Sequence, residues 1–121
     1  MKILVVDDSR AMRMIVTRTL RQAGYENHET KEASDGKEGL DVVHEWQPDV
    51  IISDWNMPNM NGLEFLQALK AEQFSGVFGF VTTEGSSKMR QMAEDEGARF
   101  LITKPFTAER FQAELGSVLS S

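Results

Sequence analysis

Short apolar runs alternate with amphipathic stripes along the chain. Ile3-Leu4-Val5-Val6 is aliphatic, mostly β-branched, and stops at Asp7-Asp8, the pattern of a buried strand. Ser9 then stands as an N-cap. Met12, Ile15, Val16, Leu20 and Ala23 recur at helical spacing until Gly24, a helix stop. A weak, polar strand falls within 27–33, and a helix spans 36–46 with Leu40 and Val43 inward. Pro48 interrupts, and Val50-Ile51-Ile52-Ser53 reads as a buried strand ending at Asp54. Asn61-Gly62 is a hairpin signal by residue type. Leu63, Leu66 and Leu69 continue at helical spacing, so a third helix is expected there instead. Residues 77–81 form a strand with an interior Gly79, ending at Thr82. Residues 86–96 are helical, with Met89, Met92 and Ala93 on one side. Phe100-Leu101-Ile102 is a strand running to Lys104-Pro105, and Phe111, Leu115, Val118 and Leu119 mark the last helix.

The order is strand then helix, five times. Helical crossovers impose parallel pairing with right-handed connections. The prediction is one α/β domain over 1–121, a doubly wound five-stranded parallel sheet. The first and third strands are apolar throughout, as when both sheet faces are covered. The polar second strand belongs at an edge.

Composition narrows the function. Apolar residues are 40% and charged residues 26% of the chain, an ordinary globular mix. The apolar runs fall far short of the roughly 20 residues a membrane span needs. Acid at Asp7 comes too early for a signal peptide, so a cytoplasmic protein with no membrane partner is expected. There is no cysteine, which removes disulfides and thiolate chemistry. A net charge of −6 argues against nucleic acid. His28 and His44 lack the companions of a zinc site. The methionines read as core filler, except Met57 and Met60 in the loop beside Asp54.

Four of the five strands finish on a reactive side chain: Asp7-Asp8, Asp54, Thr82 and Lys104. In a parallel sheet these ends share one edge, where ligands bind. Each residue alone has a plain explanation as a cap, turn or strand end. Their joint placement does not. Two carboxylates about 4 Å apart repel by about 4 kcal/mol at an effective dielectric near 20. Three acids with one lysine should therefore hold a cation or a raised pKa. Oxygen-only ligands favour Mg²⁺, with Mn²⁺ a second choice. A carboxylate beside such a cation and a lysine can attack a phosphoryl group, and a threonine hydroxyl can bond an equatorial oxygen.

These residues resemble the receiver domain of two-component response regulators, and within it the single-domain chemotaxis regulators of the CheY type. Ile51-Ile52-Ser53-Asp54-Trp55-Asn56-Met57-Pro58-Asn59-Met60-Asn61-Gly62 is especially similar, and the likeness covers essentially the whole chain. The resemblance implies a (βα)5 flavodoxin-like fold with strand order 2-1-3-4-5. It implies Asp54 as phosphoacceptor. Mg²⁺ would be held by Asp8, Asp54 and the Asn56 backbone carbonyl, with Asp7 acting through water. Thr82, Lys104 and the Thr83 backbone would contact the phosphoryl group. Asn56 and Glu84 stand where autodephosphorylation is tuned, and Lys104-Pro105 would be cis. The protein would catalyse only its own phosphorylation and dephosphorylation. Its partners would be a sensor histidine kinase or histidine phosphotransfer protein, and an output protein such as a motor switch component. A monomer or weak dimer is expected. A phosphorelay shuttle, or the receiver part of a larger regulator, is the alternative output.

Three departures stand out. Leu101 occupies a switch position normally held by Tyr, Phe or His, and strand alternation puts the neighbouring Phe100 on the other face. Thr83 replaces a usually small residue and should narrow access to the site. Residues 26–32 run about two residues longer than in close relatives, so an irregular or shifted second strand is expected.

Other classes fit less well. A haloacid-dehalogenase-type hydrolase wants Asp-x-Asp after the first strand and a cap for which there is no spare length. A flavodoxin-like cofactor binder wants a phosphate loop where this chain has acid. A phosphorylation-independent module would have no use for the intact acid, threonine and lysine set.

Overall fold

The computed structural model describes residues 1–119. Its strands are β1 (Lys2–Val6), β2 (Glu29–Ala33), β3 (Val50–Ser53), β4 (Val77–Thr82) and β5 (Phe100–Thr103). The helices are α1 (Arg10–Gln22), α2 (Gly36–Trp46), α3 (Gly62–Ala71), α4 (Ser87–Asp95) and α5 (Ala108–Leu119). All pairings are parallel and the order is β2-β1-β3-β4-β5.

Alternation along the central strands feeds two cores. Ile3, Val5, Ile52 and Ile102 face α1 and α5, where they meet Val16, Leu20, Phe111 and Leu115. Leu4, Val6, Ile51, Phe78 and Phe80 face the opposite layer, with Val43, Phe65, Leu66 and Leu69. Burial on both faces is why residues 3–6 of β1 and 50–52 of β3 had to be apolar.

Two glycines mark close approaches. The Phe100 ring lies against Gly79, its register partner, and leaves no room for a Cβ. Gly62 leaves none beside the Asp54 carbonyl. Asn61-Gly62 is accordingly no hairpin. Asn61 caps α3 in a capping box: Glu64 N–H donates to its side chain at 2.8 Å, and its own N–H donates to Glu64 at 3.0 Å.

Three expectations are corrected. First, β2 is regular, pairing with β1 from Lys2↔Glu29 to Val6↔Ala33. The turn before it is closed by His28 N–H donating to the Tyr25 carbonyl at 3.2 Å. Second, Ile15 is exposed, and Thr19 takes the buried place on α1. Its hydroxyl is satisfied by donating to the Ile15 carbonyl at 2.8 Å. Third, the methionines do not fill the core. Met1, Met14 and Met92 are exposed, while Met12, Met57, Met60 and Met89 are only partly buried. Met12, Met57, Met60 and Met89 pack against the two cores as partly buried residues, while the fully buried places are held by aromatic and branched side chains. The predicted inward placement of Leu119 lies outside the described side chains.

Candidate functional site

Parallel register brings the reactive residues to one edge. Asp7 N–H donates to the Ala33 carbonyl at 3.1 Å and Asp54 N–H to the Val6 carbonyl at 2.8 Å. Lys104 N–H donates to the Thr82 carbonyl at 2.8 Å, setting those two backbones side by side. One carboxylate oxygen from each of Asp7, Asp8 and Asp54 lies within 4.8 Å of the others. Asp7 is buried, Asp54 half-buried and Asp8 open to solvent.

Neither Asp7 nor Asp8 caps α1. Ser9 does so, as its place in the sequence predicts, accepting from Met12 N–H at 3.2 Å. The aspartates are thereby left for another role. Asp7 Oδ1 accepts from Ser9 N–H at 2.9 Å, and its carbonyl accepts from the Arg13 guanidinium at 2.7 Å. Arg13 also pairs with Glu32 at 2.8 Å, tying α1 to β2.

Lys104 is the counter-charge. Its Nζ stands 3.1 Å from Asp7 Oδ2 and 3.5 Å from Asp54 Oδ2. One ammonium cannot neutralise three carboxylates. Desolvation and the neighbouring Asp7 charge push the Asp54 carboxyl above its ordinary value, against the opposing pull of Lys104 and the Trp55 N–H. Hard oxygen donors, surplus negative charge and an open side at Asp8 suit a small divalent cation. When bound, Mg²⁺ would neutralise that charge and that of an incoming phosphoryl group.

The remaining predicted residues surround this cluster. Thr82 is fully buried at the end of β4, its Oγ accepting from Glu84 N–H at 3.4 Å. Thr83, Glu84 and Asn56 are exposed. Trp55 is buried on Phe80, with ring centroids 4.6 Å apart. Leu101 is buried in the layer with Phe80, while Phe100 lies on the opposite face, as alternation required. The Lys104-Pro105 bond is cis. The histidines are elsewhere: His28 contacts the chain's amino group and His44 faces Glu72, each at 2.9 Å.

Two residues near the site escaped the sequence reading. Asp35 is buried and caps α2, a signature legible in the order Asp35-Gly36-Lys37-Glu38 before an apolar stripe. Arg90 reaches from α4 to the carbonyls of Leu101 at 3.2 Å and Gly85 at 3.3 Å. Nothing in its local sequence distinguishes it from a solvated arginine.

Comparison with known proteins supplies the class. Residues 3–116 match the response regulator receiver domain family. The chain is 34% identical over 120 residues to the chemotaxis protein CheY of Pseudomonas aeruginosa, covering 98% of this chain and 95% of that one. It is 35% identical over 120 residues to CheY-3 of Vibrio cholerae, covering 98% and 91%. The solved structure of Vibrio cholerae CheY4 superposes with a TM-score of 0.85 at 39% identity, covering 98% of both chains. The fold and the acidic strand ends thus define a receiver domain. The chain belongs to the response regulator receiver family and is closely related to the CheY-like single-domain chemotaxis regulators. Receiver domains catalyse only their own phosphorylation and dephosphorylation. Among the described residues no helix is long and apolar enough to cross a membrane.

Proposed function

We propose that this protein is a phosphoacceptor switch in which Asp54 takes a phosphoryl group in a Mg²⁺-dependent reaction. The observation that carries this is Asp54, half-buried between two further aspartates and Lys104. Asp8, Asp54 and the Asn56 carbonyl would hold the cation, with Asp7 acting through water. A carboxylate oxygen of Asp54 attacks phosphorus as the bond from phosphorus to the donor's histidine nitrogen breaks. The imidazole keeps the bonding pair and takes up a proton from solvent. Lys104 and the Thr82 hydroxyl then bond phosphoryl oxygens, with the Thr83 N–H beside them. Asn56 and Glu84, both exposed, border the path of a hydrolytic water.

The donor is the phosphohistidine of a sensor kinase or a histidine phosphotransfer protein. The reader is an output protein, such as a motor switch component, on the β4–β5 face. Leu101 provides no aromatic rotamer to report the new charge. The reporting element is instead the stretch 83–86, which leads into α4 and is held by Arg90. Turning the Thr82 hydroxyl to donate to a phosphoryl oxygen moves the acceptor of its 3.4 Å bond from Glu84 N–H, which biases this stretch between two arrangements. The protein acts in the cytoplasm, as a monomer or weak dimer, without nucleic-acid or membrane partners.

The test is intact mass after incubation with Mg²⁺ and acetyl phosphate. One added phosphoryl group is expected, absent with chelator and in Asp54→Asn. A folded wild type that takes up neither phosphoryl nor beryllofluoride would overturn the reading.

A further inference from the structure

The loop between Asp54 and α3 is tied to an element that the phosphoryl chemistry does not use. Asp35, at the start of α2, is a buried carboxylate whose two oxygens have different partners. Oδ1 accepts from Glu38 N–H at 2.8 Å and caps the helix. Oδ2 accepts from the Asn59 side-chain amide at 2.7 Å, across the gap to the loop. Both bonds hold the Asp35 carboxyl below its ordinary value. A second tie runs alongside, from Gly36 N–H to the Met60 carbonyl at 3.1 Å. Gly36 allows it, because a Cβ there would stand 2.8 Å from Met60 Cγ and 2.9 Å from Phe65 Cβ.

Asn59 itself has φ of +64°. The other non-glycine residues with positive φ, Gln47 and Gln73, sit at the ends of α2 and α3, where a left-handed residue stops a helix. Asn59 stops no helix. Its backbone turns so that its amide meets Asp35 and so that the loop returns to α3. Gly62 N–H closes that return on the Trp55 carbonyl at 2.8 Å. Asn56 stands inside the stretch so enclosed.

We propose that Asp35 and Asn59 are a positioning pair that presets the 55–61 loop, and with it the Asn56 carbonyl, for the divalent cation. This rests on the Mg²⁺-dependent reading of the Asp54 site. Mg²⁺ demands near-ideal octahedral geometry. A loop free to sample other arrangements lowers apparent affinity by the fraction of time it is competent. Partners behind metal ligands are commonly worth about tenfold or more in affinity. Asp35 is well suited to the task because the same carboxylate is locked by the helix it caps.

The experiment compares wild type, Asn59→Gly, Asp35→Asn and the exchange Asp35→Asn with Asn59→Asp. Asn59→Gly keeps the α2 cap and tolerates the left-handed backbone, so it removes the amide donor and the rigidity that donor imposes, while the double exchange separates the bond from the freer glycine backbone. Mg²⁺ is titrated against tryptophan fluorescence, Trp55 being adjacent to Asp54. Hydrogen exchange at Gly36 and Gly62 N–H is measured without metal. Asn59→Gly and Asp35→Asn should each weaken Mg²⁺ by about tenfold and speed exchange at both amides. The double exchange should recover most of the affinity, because the amide then lies on α2 and donates to a carboxylate on the loop. A purely structural role would lower the thermal midpoint and leave the Mg²⁺ constant of the folded protein unchanged, which overturns the proposal alone. Failure of the wild type to bind Mg²⁺ overturns the reading beneath it as well.

Discussion

The C-terminal edge of the sheet has two unlike halves. Around β1, β2 and β3 the loops are held by short bonds to charged groups, several of them buried. Arg13 grips the Asp7 carbonyl at 2.7 Å, Asp35 grips Asn59 at 2.7 Å, and Asp54 Oδ1 accepts from Trp55 N–H at 2.7 Å. After β4 the ties are longer, and two of their members, Glu84 and Arg90, are exposed. Thr82 holds Glu84 N–H at 3.4 Å, and Arg90 reaches Gly85 and Leu101 at 3.3 and 3.2 Å. Hydrogen bonds to charge weaken as they lengthen and as water competes. The first half is built to keep one geometry for charge, while the second is built to be moved. Lys104 joins them, with its backbone on Thr82 and its ammonium among the aspartates.

The largest effect should come from removing the nucleophile. Asp54→Asn is expected to abolish acyl-phosphate formation and to raise the thermal midpoint at pH 7 without metal. The sign follows from the raised Asp54 pKa. Ionised Asp54 is disfavoured in the folded state, so the cost is present above its folded pKa and gone below its ordinary value of 3.8. The stabilisation by Asp54→Asn should therefore shrink as the pH falls toward that value, as calorimetry across pH would show. Saturating Mg²⁺ should stabilise wild type more than the variant.

Lys104→Ala comes next. It leaves Asp7 buried without its counter-ion, which costs about 3–5 kcal/mol for pairs of this kind. Phosphoryl uptake should fall by about 100-fold. Denaturant unfolding with and without Mg²⁺ checks the first, because the cation should restore much of the loss. A fully stable, metal-insensitive Lys104→Ala would dissolve the contrast between the two halves.

Gly79→Ala should destabilise by about 1–3 kcal/mol, the usual cost of overpacking, by driving the Phe100 ring off β4. Phosphoryl uptake per folded molecule should hold, since Asp54 and Lys104 are not displaced. The smallest expected effect is Arg90→Ala. As a residue on the surface of α4 it should alter stability by no more than about 0.5 kcal/mol. Amide exchange at 84–86 should nevertheless quicken, with no change in Mg²⁺ affinity. Unaltered exchange there would show that Arg90 does not restrain the second half.

The legibility of the molecule differed in the same way. Val50-Ile51-Ile52 and Ile3-Leu4-Val5-Val6 could be placed from periodicity because burial on both faces demands continuous apolar residues. Asp7, Asp8, Asp54, Thr82 and Lys104 could be grouped because parallel strands end on one edge. Ile15 and Met92 misled, since spacing says which residues share a helix face but not how much of that face is covered. The expected irregularity of the second strand also failed, because its polar residues still complete an unbroken ladder of backbone bonds to β1 from Glu29 to Ala33.

The sequence by itself determined the alternation of elements, the Ser9 cap, the polar edge strand, the Phe100 and Leu101 faces and the acid, hydroxyl and lysine at the strand ends. Each follows from local period and residue chemistry, which a linear pattern carries. Only the tertiary structure decided that Thr19 rather than Ile15 is covered on α1, that Asp35 reaches Asn59, and that Arg90 crosses to β5. Those outcomes depend on residues of different elements. They are settled by which face is covered, and by which oxygen or carbonyl lies within about 3 Å, once the sheet has twisted and the helices have packed.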